Sequence, residues 1–167
     1  MVLVKGDRAV TDGWTHLDDE AEIPAEGPIT VSWSRWHRHH DVLHRSAPLL
    51  GVRVPNTVAV AEIGLAVSNF SLIALSFPSF TDGRAFSQAR ILRDRHHYAG
   101  ELRATGNFLR DQLQFMQRCG IDAFEVPERA ITEDWFAALN EIDLFYQPAA
   151  DNRPWILRQR LRSAPNP

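Results

Sequence analysis

The chain has 167 residues, 44% of them apolar and 23% charged, with a formal net charge of −3. That length suits one domain around a single core, and so near-neutral a balance excludes a chain drawn to nucleic acid or lipid by its global field. A single cysteine, Cys119, rules out an intrachain disulfide and fits a reducing compartment; no run approaches the ~20 apolar residues of a membrane span and no signal peptide is evident, so a cytoplasmic location is expected.

Residues 1–28 are polar and acidic, with a turn dipeptide at Asp12-Gly13 and a small hairpin expected from residues 2–4 and 9–10. Residues 29–36 alternate Ile29, Val31 and Trp33 with Thr30, Ser32 and Ser34, the pattern of a half-buried strand. From residue 50 the pattern changes. Strand 50–54 stops at Pro55-Asn56, a short helix covers 59–67, and 71–77 reads as a strand buried on both faces. A helix over 85–96 puts Phe86, Ala89 and Leu92 on one side. Strand 100–105 is followed by the most regular helical pattern, 107–119, with Asn107 as its cap and Gly120 as its left-handed end. Strand 121–126 precedes a helix capped by Thr132, with Glu133 and Asp134 where the dipole favours acids. Residues 144–146 form one last short strand, and the tail after Asp151 carries four arginines and three prolines.

Alternating strands and helices mean parallel strands joined by right-handed crossovers. The expected fold is a single α/β domain of repeated β-α units with a mainly parallel sheet of about four to six strands. An open sheet is favoured over a fragment of a β/α barrel. The chain divides into an N-terminal extension with short strands (1–45), an α/β domain (46–150) and a C-terminal tail (151–167).

In either topology ligands sit beyond the carboxyl ends of the strands, which directs attention to three loops: 77–85, 104–107 and 127–130. In the first, Pro78 ends the strand and Thr81 or Asp82 can cap the next helix. Gly83 permits a tight backbone, and free amides beside Arg84 and Ser87 can hold an anion. The plain alternative is a capped turn with Arg84 in solvent or paired to Asp82. The second loop, Thr105-Gly106-Asn107, has the same form, and Arg103 on the strand between them can add a cation. Asp82 and Asp111 are the acid–base candidates. His37, His40 and His44 would share one helical face, but Arg38, Arg45 and His39 beside them oppose a metal cation, so no metal site is assigned. Cys119 reads as a buried structural thiol. No cofactor fingerprint is present.

The stretch from Leu72 to Val126 holds a set of words: FPSFTDGR at Phe77 to Arg84, S-x-A-R at Ser87 to Arg90, GELRA-x-G at Gly100 to Gly106, LRDQL at Leu109 to Leu113 and RCG-x-DAF at Arg118 to Phe124. Across roughly residues 50–147 the chain resembles the bacterial family DUF934. The resemblance implies no established reaction. It implies a gene setting beside sulfite reductase and sulfate assimilation, and a "probable oxidoreductase" label on some members. Because a fold does not itself require TDGR, the resemblance favours a binding site at Thr81, Asp82, Gly83, Arg84, Thr105 and Gly106, with Arg90, Arg110 and Asp111 on a partner surface.

The expected function is an accessory protein of assimilatory sulfite reduction, docking on the reductase or its electron donor, with an anion site at the strand-end loops. The alternatives are a small enzyme, an oxidoreductase among the options, acting on an anionic substrate, and an interaction module without a ligand. Neither nucleic acid nor membrane is an expected partner.

Overall fold

The computed structural model describes residues 1–47, 49–151, 153, 155 and 156, apart from the side chains of Glu133 and Asp134. The acidic first turn expected at those two residues and most of the tail lie outside the described residues.

Strands β1 (Val2–Lys5), β2 (Arg8–Val10), β3 (Thr15–His16) and β4 (Ile29–Ser32) lead into helix α1 (Trp33–Ser46). Next come β5 (Leu50–Val54), α2 (Val60–Ala66), β6 (Leu72–Phe77), α3 (Arg84–Asp94), β7 (Glu101–Gly106), α4 (Leu113–Arg118), β8 (Ala123–Val126) and α5 (Glu133–Ala137). All eight strands form one sheet, ordered β2-β1-β8-β7-β6-β5-β4-β3. The pairs from β3 through β8 are parallel, whereas β1 runs antiparallel to both β2 and β8.

The sheet is therefore larger than the expected four to six strands, and partly antiparallel. Its parallel strands lie in chain order with no reversal, the order of a β/α barrel, so the favoured plain open sheet gives way to a curled half-barrel. Chain length requires the curl. In a flat sheet β2 and β3 would stand seven strand spacings apart, about 34 Å. Only residues 11–14 join Val10 to Thr15, a reach of no more than about 18 Å.

Alternation along the strands divides the two faces. Val4, Val31, Val52, Val54, Ile73, Leu75, Leu102, Ala104 and Phe124 join one buried cluster with Leu43, Ile63, Ala89, Leu92, Leu113, Met116 and Trp135 from the five helices. The helices thus cover the convex face. The opposite, concave face presents Thr30, Gly51, Arg53, Ser76, Glu101, Arg103, Thr105 and Glu125, and residues 11–14 cross it as a strap.

Two boundaries differ from expectation. Residues 29–36 are not one strand: Ser32 Oγ accepts the Arg35 N–H at 3.0 Å, an N-cap that starts α1 at Trp33. The helix expected over 107–119 is a 3₁₀ turn at Arg110–Gln112 followed by α4, and the Gln112 side chain, not Asn107, takes an orphan N–H, that of Leu109 at 3.0 Å. Gly120 does end α4 in the left-handed region, at φ +96°. At residues 144–146 there is a single bridge, Phe145 to Trp155, in place of a strand.

Candidate functional site

Because β6 and β7 are neighbours, paired from Leu72–Glu101 to Phe77–Gly106, the two glycine-bearing bends leave the sheet side by side. They close against each other. The Asn107 N–H donates to Phe77 O at 2.6 Å, Asn107 Nδ2 to Pro78 O at 3.1 Å, and Gln112 Nε2 to Phe80 O at 2.8 Å. Gly106, at φ +101°, lies so close to the Phe77 carbonyl that a Cβ there would collide with it. Backbone meets backbone, and the Asn107 amide is already engaged.

The TDGR segment is an internally bonded turn. Ser79 and Thr81 hydroxyls lie 2.9 Å apart. Asp82 accepts from the Arg84 backbone N–H (3.2 Å), Nε (3.0 Å) and Nη2 (2.6 Å). Those Arg84 bonds hold the Asp82 carboxyl well below the usual carboxylate range. Gly83, not Thr81 or Asp82, is the helix N-cap and offers no side-chain bond. Ser87 and Arg90 lie further along α3, where Arg90 pairs with Asp94. Arg110 and Asp111 are exposed on the turn before α4, with Arg110 3.7 Å from Glu141.

Arg103 is not part of this rim. Its side chain is fully buried on the concave face and reaches three carboxylates: Glu101 through Nε (2.9 Å), Glu125 through Nη1 (2.8 Å) and Asp12 through Nη1 (2.6 Å) and Nη2 (3.2 Å). Lys5 Nζ adds a contact to Glu101 at 2.6 Å. His16 stands between Thr30 Oγ1 (2.6 Å) and Asp12 Oδ2 (3.0 Å). Burial alone would raise the Asp12 pKa; bonds from Arg103, the Trp14 N–H and His16 overcome it and leave the group at about 2. Burial alone would lower the Arg103 pKa; its bonds to Asp12, Glu125 and Glu101 overcome that and hold the guanidinium above its ordinary value. Trp14 of the strap lies over Gly51, where a Cβ would stand 3.2 Å from the indole.

Asp12, His16 and Glu125 bring three ligand-type atoms within 4.8 Å of one another. Arg103 Nη1 contacts both carboxylates, however, so the positive charge that a metal would supply is already in place. The sequence reading missed Asp12 and His16 because Asp12 meets Arg103 across ninety-one residues and His16 enters the cluster only through Asp12. A usable signal was present: a strand carrying Glu101 and Arg103 on one face, in a region otherwise buried, needs further carboxylates. His37, His40 and His44 lie on α1, which is kinked at His39; His37 packs edge-on to Trp33 and Trp36, and His40 pairs with Asp41 at 3.5 Å.

Several motif residues have plain structural work. Arg93 donates to Gly120 O (2.9 Å) and Gly100 O (2.9 Å) and pairs with Asp122, which also accepts the Leu102 N–H at 2.9 Å. Cys119 is buried, and burial pushes its thiol up to about 11.

Surface-exposed apolar side chains collect around the rim words. Phe80 is 50% exposed, Leu109 45% and Phe115 58%. Segments 79–84 and 109–115 are tied together by the Gln112–Phe80 bond, so these side chains and the TDGR and LRDQ polar groups share one region.

A half-barrel α/β domain with a strapped concave face and an apolar, arginine-bearing rim is the class of protein that this geometry defines. The model of a family described as "Bacterial protein of unknown function (DUF934)" matches residues 51–156, and the chain belongs to that family. The match begins within β5, so β1–β4, α1 and the strap lie outside it. No curated protein and no solved structure matches the chain. Among the described residues no helix is long and apolar enough to cross a membrane.

Proposed function

We propose that this protein is a cytoplasmic accessory protein of assimilatory sulfite reduction that docks on sulfite reductase or its electron donor. The docking face is the rim formed by residues 79–84 and 109–115. The observation that carries the reading is the company that the motif residues keep: Thr81, Asp82, Arg84, Arg110 and Asp111 lie on the same two linked segments as Phe80, Leu109 and Phe115, three large apolar side chains about half in water. Apolar anchors ringed by charged groups are the anatomy of a protein interface.

In this reading the anion met by Arg84 and Arg110 is an acidic group of the partner, since the Asn107 amide is engaged with Phe77 O. The small-enzyme alternative has less support: Arg84 holds Asp82 ionised far below neutral pH, which leaves it a poor proton donor.

The test is a binding titration with purified sulfite reductase and, separately, its electron donor, each in both redox states. Association at micromolar concentration, weakened at least about tenfold by Leu109→Ser with Phe115→Ser, supports the reading. Absence of association with either protein in either state overturns it.

A further inference from the structure

Helices α3 and α4 follow adjacent strands and leave between them a cleft of about 370 Å³, within the range of roughly 300–1,000 Å³ typical of small-molecule sites. Phe86 and Ile91 on α3 face Phe115 on α4, and Pro148 and Ala149 close one side. The Phe86 and Phe115 rings are 5.2 Å apart and tilted by 46°. The polar part of the lining includes Ser87, Arg90 and Arg118. Two motif words, distant in the chain, thus meet across one cavity.

Charge settles what the cleft suits. Among the described residues, two guanidinium groups line it and no carboxylate does. Asp94 and Asp151 pair with those arginines from outside the lining. The second pair is loose: Arg118 Nε and Asp151 Oδ2 are 3.6 Å apart, and neither atom has a hydrogen-bond partner, a separation beyond a hydrogen bond. Arg118 is nonetheless fixed in place, donating through Nη2 to Gln147 O at 2.6 Å and lying 3.9 Å over the Phe145 ring. A pre-placed cation beside an apolar wall costs little reorganisation on binding.

We infer that the α3–α4 cleft binds a small organic anion with a ring-sized apolar body, the ring against Phe86 and Phe115 and the acid head at Arg90 and Arg118. The cleft borders the docking rim and shares Phe115 with it, but its cations, Arg90 and Arg118, lie outside the rim segments 79–84 and 109–115, so the acid-head variants test the cleft alone.

The test uses phenylacetate, benzenesulfonate and phenyl phosphate, which share a phenyl ring and differ in the acid head and its link to the ring, with benzyl alcohol as the neutral control. Binding to the full chain is followed by amide-resolved NMR. The expected result is saturable binding of at least one acid, with shifts at residues 86–91, 115–119 and 147–149. That acid should bind at least about tenfold more tightly than the alcohol, a preference lost in Arg90→Gln, whose exposed position spares the fold. Arg118→Lys, which keeps the charge and loses the planar fork, should weaken the same acid. Equal binding of acid and alcohol, shifts confined elsewhere, or no saturable binding of any acid overturns the inference. So does binding of an acetylated peptide ending in a free phenylalanine carboxylate when no free acid binds, which would make the cleft a peptide socket.

Discussion

Arg103 and Asp12, ninety-one positions apart, meet in a two-point ion pair across the concave face: Nη1 to Oδ2 at 2.6 Å and Nη2 to Oδ1 at 3.2 Å. The contact fastens the strap of residues 11–14 over a curled sheet whose two edges that strap joins. It makes the N-terminal strands part of the same folded unit as the strands matched by the family model.

Removal of either partner should show how much of the fold depends on this contact. Arg103→Ala leaves three acidic groups facing one another and should cost about 3–5 kcal/mol. Asp12→Asn leaves Arg103 with Glu101 and Glu125 and should cost about 1–2 kcal/mol. Urea unfolding of both variants checks this. A loss below about 0.5 kcal/mol for Arg103→Ala contradicts the network as a structural tie.

Acid should loosen the same contact. Asp12 has its pKa lowered from 3.8 to about 2. A depressed folded-state value contributes stability above the unfolded pKa, and that contribution is lost as the pH falls through the folded one. The window is therefore about pH 4 down to about pH 2, and the loss no more than about 1–2 kcal/mol after solvent screening. The wild type should lose its advantage over Asp12→Asn across that window; a constant difference would contradict the assignment.

Gly106→Ala should be among the costly single substitutions on the rim. The position has φ +101° and a Cβ would strike the Phe77 carbonyl, so backbone strain and a clash add to about 2 kcal/mol or more. Thermal unfolding measures it. Gly13→Ala, where a Cβ meets nothing within 4 Å, is the control and should be close to neutral.

Cys119 should be slow to react. Its thiol is buried and raised to about 11, so little thiolate forms near neutral pH. A disulfide exchange reagent should label the unfolded chain at least about a hundredfold faster than the native protein. Equal rates would place the thiol at the surface.

The central strands and helices of the fold were legible because apolar runs such as Leu72 to Phe77 and punctuation such as Pro55, Pro78 and Gly120 are local signals. The strand count was not. The β1–β2 hairpin was expected from residues 2–4 and 9–10, but no local pattern shows that it joins the main sheet beside β8, and β3, with two residues, is too short for any period to register. Strand order was likewise hidden, because it is set by long-range pairing and by the reach of the strap. Trp33 continued the alternation of Ile29 and Val31 while Ser32 was already capping a helix, so a local cap overrode the pattern. At the rim, the adjacency of Phe77 and Gly106 follows from parallel neighbours, but the intimacy of their contact depends on a positive φ that residue types only permit. Arg103 went to the concave face because parity along β7 opposes it to Leu102 and Ala104, a fact that register reveals and composition does not.

Hydrogen exchange on the protein alone and in the presence of sulfite reductase tests the docking face most directly. Residues 79–84 and 109–115 should gain protection in the complex while the concave residues 12–16 and 101–105 remain unchanged. Protection confined to the concave face, or absent from both rim segments in a complex known to form, would contradict the account.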